Sequence, residues 1–306
     1  MLSQANAPCK RRAFAQNFAG PMAALGDVNG LCKLGNPALA QREWSETVPY
    51  RFSLSLAVLL CAVPPALAEP LFPNSVVSND LDFIREDEPS ANFCLRYEGV
   101  SRAEMVDKRH DNLFADDVLI FNAIFDGGKS VGIWVHPDVG DKAKAETLID
   151  PVIRAVARLP EPMRNLLSHV VIHEGNETAF AEDLGRFFVM YSENIRSRIA
   201  TNDIPETVFH ESVHATLDVP HASSAEWLAA QTADGQFVTE YAAEHPGAED
   251  MAESALFAWA MLKYPGRLPP AVESRVAALM PNRLAYFESL FANWEVPRPQ
   301  TNGTPC

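Results

Sequence analysis

The pattern of apolar and polar residues predicts three strands in the middle of the chain. The stretches at 130–139, 166–175 and 185–193 are rich in β-branched and aromatic residues, which favour an extended backbone. The first stretch ends in His-Pro-Asp, a sequence typical of turns. We therefore expect three strands between residues 130 and 193.

Apolar residues at helical spacing predict helices between and after these strands. The 145–159 stretch has this spacing, and we expect Pro151 to break or kink the helix. Three further helical stretches follow: 224–243, which ends in a loop, 246–264, which starts at Pro246, and 271–291, which is interrupted at Pro281.

One helix is predicted in more detail, from Asp203 to Asp218. Asp203 is a suitable N-cap, Pro205 suits the first turn, and Glu206 lies three residues after the cap. Apolar residues then recur every fourth position: Phe209, Val213 and Leu217. The pattern predicts a helix with one apolar stripe.

The order of elements, strands followed by helices, predicts an α+β fold. No repeat, low-complexity tract or linker rich in Gly, Ser or Pro divides the sequence, so we expect one main domain at residues 129–295. Residues 69–128 then form an N-terminal extension, which is polar and irregular up to residue 92. Residues 296–306 form a C-terminal tail.

An apolar run near the N-terminus predicts a signal peptide at residues 48–68. Arg51 supplies the positive charge, Phe52–Ala68 is apolar, and Ala66-Leu67-Ala68 is the small-x-small pattern before a cleavage site. The run is short for a membrane span. A buried helix is the alternative, but Pro64 and Pro65 argue against it.

Signal peptides begin a protein, whereas 47 residues precede this one. We therefore interpret residues 1–47 as a disordered gene-model extension and place the natural start near Val48. Leu60 before Cys61 is too large for a lipoprotein signal. The sequence thus predicts export to the periplasm or the extracellular space, with a mature chain that begins at Glu69 and has no stable membrane insertion.

The net charge of −15 argues against nucleic acid as a partner. Residues 1–68 contain six of the 25 basic and three of the 40 acidic side chains, so the mature charge becomes −18. Cys94 and Cys306 are the cysteines that survive cleavage. They could form one disulfide in an oxidising compartment or remain two thiols.

Candidate chemistry lies in the 203–218 helix, at His210-Glu211-Ser212-Val213-His214. Residues four apart share one helix face, so His210 and His214 can bind the same metal ion. Glu211 can take a proton from a water that the metal activates. By composition the pattern arises by chance in roughly one such sequence in 70. The alternative is an exposed helix with two surface histidines.

A catalytic zinc site needs a third protein ligand. The metzincin pattern requires glycine at 217 and histidine at 220, where this chain has Leu217 and Pro220, and His221 comes one residue late. His245 is directed away from the helix by Pro246. The better candidate is Glu249 at the start of the 246–264 helix, followed one turn later by Glu253.

These motifs resemble the gluzincins, zinc peptidases whose third ligand is a glutamate on a second helix. The thermolysin-type HExxHAxxD pattern is matched by His210, Glu211, His214, Ala215 and Asp218. The E-x-x-A-E pattern of lethal-factor-like catalytic domains is matched by Glu249, Ala252 and Glu253, with Tyr241 before it at one extra residue of spacing. The resemblance covers residues 200–262.

The resemblance implies a zincin-like α+β catalytic domain at 129–295 that hydrolyses peptides or proteins with zinc. Glu249 would join His210 and His214 as a ligand, and Glu211 would be the general base. Tyr241 would stabilise the oxyanion, or else only pack. Glu253 would orient a zinc-binding histidine, although Glu249 and Glu253 could simply form a solvated helix face. Asp218 is a further candidate support, but it is more typical of a structural residue at the helix end. A metal-binding or degenerate zincin that does not cut is the alternative function.

Overall fold

A mixed sheet and a set of helices form in residues 69–300, the part of the chain that the computed structural model describes. The predicted signal peptide 48–68, the predicted extension 1–47 and Cys306 lie outside these residues. The six strands are β1 (Phe93–Glu104), β2 (Phe114–Phe125), β3 (Ser130–Val135), β4 (His169–His173), β5 (Phe180–Glu182) and β6 (Phe187–Tyr191).

Nine α-helices accompany the sheet within the same described residues. They are α1 (Lys142–Ala157), α2 (Glu161–Leu166), α3 (Ser192–Thr201), α4 (Ile204–Leu217), α5 (Ala225–Asp234), α6 (Glu240–Glu244), α7 (Asp250–Lys263), α8 (Pro270–Leu279) and α9 (Pro281–Leu290). Seven of the nine, α3 to α9, follow β6. The secondary-structure content is mixed and compatible with the predicted α+β class.

The strand order in the sheet is β1-β2-β3-β4-β6-β5. β3, β4 and β6 are parallel, whereas β1, β2 and β5 pair antiparallel with their neighbours. β1 and β2 come from residues 69–128, the predicted N-terminal extension, and join the same sheet as β3. β5 is the short edge strand on the side of β6.

The main core lies on the helical side of the sheet. Ile133, Ile172 and Met190 project from successive strands into this core, together with the buried side of α1. Side chains of alternating residues project to the other side, where Val171 and Val189 belong to a smaller apolar cluster. The sheet therefore supports the helices that carry the candidate chemistry on one of its faces.

Helix α4 lies in the interior, in contact with α1, α7, β5 and β6. Every residue from Ile204 to Leu217 except His214 is buried, so the helix is enclosed on all sides rather than along one stripe. Asp203 is its N-cap residue but makes no capping hydrogen bond. Its carboxylate instead accepts a hydrogen bond from Thr201 Oγ1 at 2.5 Å.

The predicted strands at 130–139, 166–175 and 185–193 are confirmed as β3, β4 and β6. The expected break at Pro151 is wrong, because α1 continues through this residue with its apolar side packed on the sheet. Neither β1 nor β2 was among the strands predicted from the sequence.

No helix among residues 69–300 is long and apolar enough to cross a membrane. Cys94, in β1, is disulfide-bonded.

Candidate metal centre

His210, Glu211 and His214 lie on one buried stretch of α4. His210 is only 5% exposed and Glu211 only 7% exposed. The two imidazole rings lie 4.8 Å apart, as expected one turn apart on a helix. This burial excludes the alternative of an exposed helix with surface histidines.

Glu249 reaches the histidines because a turn precedes α7. The amides of Ala248 and Glu249 donate to the carbonyl oxygen of His245 at 3.0 and 2.8 Å. The helix proper therefore begins at Asp250 rather than at the predicted Pro246, and Glu249 becomes its N-cap residue. Since α7 packs on α4, this end of the helix lies beside the His210–His214 face.

Three donor atoms form a small triangle. His214 Nε2 lies 3.2 Å from His210 Nε2 and 3.2 Å from Glu249 Oε2, and His210 Nε2 lies 3.4 Å from the same Glu249 oxygen. Donors at zinc-ligand distances of about 2.0–2.1 Å in a tetrahedral arrangement are separated by about 3.3 Å. The residues therefore fit a metal ion that takes two imidazole nitrogens and one carboxylate oxygen.

The other candidate ligands lie elsewhere. His221 Nδ1 is hydrogen-bonded to the Tyr286 hydroxyl at 2.7 Å, and His245 stacks edge-on against Tyr241. Within residues 69–300, the one group of three or more His, Cys, Asp or Glu side chains that could hold a metal is His210, His214 and Glu249. Within the described residues, the carboxylate of Glu249, rather than His221 or His245, therefore completes the candidate ligand group.

The two histidines of the triangle have different supports. Asp218, the residue directly after α4, places Oδ2 2.7 Å from His214 Nδ1. Glu253 Oε1 lies 3.7 Å from His210 Nδ1, which is longer than a hydrogen bond. Asp218 is therefore both the helix-end residue and a hydrogen-bond partner that orients His214, whereas the Glu253–His210 contact is looser.

Glu253 is fully buried and accepts three hydrogen bonds. Its donors are Ser75 Oγ at 2.5 Å, the Val76 amide at 2.7 Å and Thr239 Oγ1 at 2.8 Å. Ser75 and Val76 belong to the irregular N-terminal segment, more than 170 positions away in sequence. Sequence reasoning did not identify them, since a serine in a polar segment gives no signal of such a long-range contact.

Tyr241, in α6, donates its hydroxyl proton to Glu249 Oε1 at 3.0 Å. Burial, followed by the negative charge of Glu249 and this hydrogen bond, raises the pKa of the Tyr241 phenol. The hydroxyl therefore stays protonated and remains a hydrogen-bond donor next to the third ligand.

The electrostatics of the triangle favour positive charge at its centre. Burial alone would raise the pKa of Glu249, but the hydrogen bonds and charges of His210 and His214 hold it well below the usual range. Burial likewise opposes protonation of His214, yet Asp218 and Glu249 raise its pKa. A bound metal cation could take the place of the protons on the imidazoles and supply the positive charge that Glu249 attracts.

Glu211 is set apart from this network. Among the described residues, no hydrogen bond holds its carboxylate. Burial, and to a lesser extent the negative charge of Glu249, raise the pKa of Glu211, whereas the electrostatic effects of His210, His214 and Lys108 oppose that rise. Its carboxylate is thus buried on the same helix as His210 and His214 and takes no part in the hydrogen bonds of the triangle.

No family model matches the chain, no curated protein matches its sequence, and no solved structure matches its fold. The geometry of the site is therefore the basis for assigning a function.

Proposed function

We propose that this chain is an exported zinc-dependent metallopeptidase of the gluzincin type, with a zincin-like fold. The main support is the triangle of donor atoms from His210, His214 and Glu249, which lie 3.2–3.4 Å from one another. The carboxylate of Glu211, on the same helix as the two histidines, makes no hydrogen bond among the described residues. The substrate class is peptides or proteins.

Zinc is the metal that we propose for this donor set. Two imidazole nitrogens and one carboxylate oxygen are a typical catalytic zinc set, with a fourth position left open. When bound, zinc lowers the pKa of water towards neutrality and polarises a carbonyl oxygen. The chain's contribution is to hold the metal with His210, His214 and Glu249 and to fix His214 through Asp218.

Glu211 is the proposed general base. It directly follows His210 in sequence, so it would act beside a bound metal rather than serve as a further ligand. It would take the proton of the attacking water and pass it to the leaving amine. Burial raises the pKa of this carboxyl towards neutral pH. A pKa shifted in this direction suits a group that both accepts and donates a proton.

Tyr241 is the proposed donor to the oxyanion. Its protonated hydroxyl lies 3.0 Å from Oε1 of Glu249, the proposed third ligand. The hydroxyl would exchange this carboxylate oxygen for the negative oxygen that forms on attack. An oxyanion donor of this kind contributes on the order of 10²–10³ in rate.

The test of catalysis is the Glu211→Gln variant of residues 69–306. Glutamine keeps the size of the side chain but removes the basic site. We expect the variant to bind zinc like the wild type and to lose at least about a hundredfold in peptide hydrolysis. Glu288→Gln, a change at an exposed position of α9, is the matched control and should keep wild-type activity.

Wild-type cleavage must disappear with a chelator and return with zinc. Zinc-loaded wild type that cleaves nothing in a broad peptide library would favour a metal-binding protein that does not cut. Cleavage of equal rate by Glu211→Gln and wild type would refute the general-base role.

A further inference from the structure

We infer that Ser75 is a positioning residue for the metal centre and that the N-terminal segment 72–84 is an integral part of that centre. The inference rests on the proposed metal site and extends it to a region without regular helix or strand beyond one short 3-10 turn, Val76–Ser78. It assigns a role to contacts that connect Ser75, Glu253 and His210.

The two oxygens of Glu253 have separate partners. Oε2 accepts hydrogen bonds from the Val76 amide and Thr239 Oγ1. Oε1 accepts one from Ser75 Oγ and is the oxygen that faces His210 Nδ1 at 3.7 Å. The serine hydroxyl is therefore what fixes the carboxylate oxygen nearest to the ligating histidine.

His210 needs that oxygen once it binds a metal. An imidazole that ligates through Nε2 carries its proton on Nδ1 and donates it to a neighbouring acceptor. Within the described residues His210 Nδ1 is buried without a hydrogen-bond partner, and Glu253 Oε1 is its ion-pairing neighbour. A small approach of these two atoms would complete the bond, provided that Glu253 is held in place.

The same segment also fastens α6, the helix that carries Tyr241. The Phe72 amide donates to the Val238 carbonyl at 3.1 Å, and the Glu240 amide donates to the Phe72 carbonyl at 2.9 Å. Between these contacts lies Thr239, which caps α6 and binds Glu253. The segment thus joins the supports of His210 and Tyr241.

The far end of the segment is anchored as well. The amides of Phe83 and Ile84 donate to Glu206 Oε1 on α4 at 3.1 and 3.0 Å. The rings of Phe72 and Phe83 both pack on Phe257 of α7. Because both ends are fixed to the two helices of the site, the position of Ser75 is coupled to the position of the ligands.

The experiment compares four forms of the protein, each expressed as the full chain: wild type, Ser75→Ala, Ser75→Thr and Ser78→Ala. Ser78 lies in the same segment, but its hydroxyl contacts Arg198 rather than Glu253. Zinc affinity is measured by competition with a chromophoric chelator, and the visible spectrum of the cobalt-substituted protein reports ligand geometry. Thermal unfolding of each metal-free form shows whether a variant binds zinc weakly because it is less stable or because Glu253 is no longer held in place.

Loss of a partner that supports a ligating histidine typically costs 10–100-fold in metal affinity. We expect Ser75→Ala to bind zinc about tenfold more weakly and to alter the cobalt spectrum, since its effect passes through Glu253. Ser75→Thr should restore both readouts, and Ser78→Ala should match the wild type.

Two results would overturn the inference while leaving the metal site intact: zinc binding by Ser75→Ala as tight as wild type, or equal weakening in Ser75→Ala and Ser78→Ala. Failure of the wild type to bind zinc at all would instead refute the proposed function, and the inference with it.

Discussion

At the scale of single residues, glutamates in and around the site differ by what surrounds them. Glu253 accepts three hydrogen bonds, Glu249 faces two imidazoles, and Glu211 has no hydrogen-bond partner among the described residues. Environments that differ in this way give identical side chains different roles. Support, metal binding and proton transfer are therefore assigned from the surroundings of each carboxylate.

Glu206 is a buried carboxylate whose titration should be visible in stability. Burial, only partly offset by the Ile84 and Phe83 amides, raises its pKa to about 7, and its Oε2 lacks a hydrogen-bond partner within the described residues. The folded state therefore resists ionisation of Glu206 more than the unfolded state does. The stability that it confers is full below the unfolded pKa and is lost as the pH rises through 7.

Replacement by glutamine should remove this pH dependence. Between pH 4 and pH 8 the metal-free wild type should lose up to about 3 kcal/mol of unfolding free energy relative to Glu206→Gln. Urea unfolding of both proteins at several pH values gives the difference. A wild-type-minus-variant difference that stays flat across this range would mean that Glu206 titrates normally.

At the scale of elements, α7 is held by a buried ion network directly after Glu249. Arg283 on α9 donates from Nε to Asp234 Oδ2 at 3.0 Å, and its Nη1 donates to Asp250. These three side chains are fully buried. The network joins the ends of α5, α7 and α9 and thereby fixes the helix start at which Glu249 lies.

Replacement of Arg283 should leave the buried carboxylates of Asp234 and Asp250 without a positively charged partner. Arg283→Met is expected to lower the unfolding free energy by about 3–5 kcal/mol, the usual cost of breaking a buried ion pair on one side. Arg275→Met, at an exposed position of α8, should change it by less than about 0.5 kcal/mol. Urea unfolding of the two variants compares them, and a similar small loss in both would show that the network contributes little.

Elements were predictable where the local pattern agreed with their environment. β3, β4 and β6 each consist of a short run of apolar residues, which predicts a buried strand. The start of α4 could be predicted because Asp203, Pro205 and Glu206 are typical of the first turn of a helix. α1 was predicted to break or kink at Pro151, because proline costs a helix one hydrogen bond. The helix does not break there, since Leu148, Val152 and their neighbours are packed in the core. β1 is largely exposed along its length. Its sequence therefore lacks the alternation of apolar and polar residues that predicts a half-buried strand.

At the scale of the whole molecule, the candidate site combines sequence-local and distant contributions. His210 and His214 follow from helical spacing alone, and Glu249 follows from a helix start that a resemblance suggested. The contact of Ser75 with Glu253 spans 178 positions and depends on how the N-terminal segment packs on α7. The local pattern of apolar and polar residues contains no information about a contact between such distant positions. This hydrogen bond could therefore be identified only from the three-dimensional structure.

The most direct measurement is the zinc affinity of residues 69–306 compared with that of Glu249→Gln. Glu244→Gln, an exposed change on α6, is the control, and circular dichroism checks that all three proteins are folded. We predict one tightly bound zinc ion in wild type and Glu244→Gln. We expect at least about a hundredfold weaker binding in Glu249→Gln, since loss of a ligand should exceed loss of its support. Equal zinc affinity of Glu249→Gln and wild type would contradict the metal centre described above.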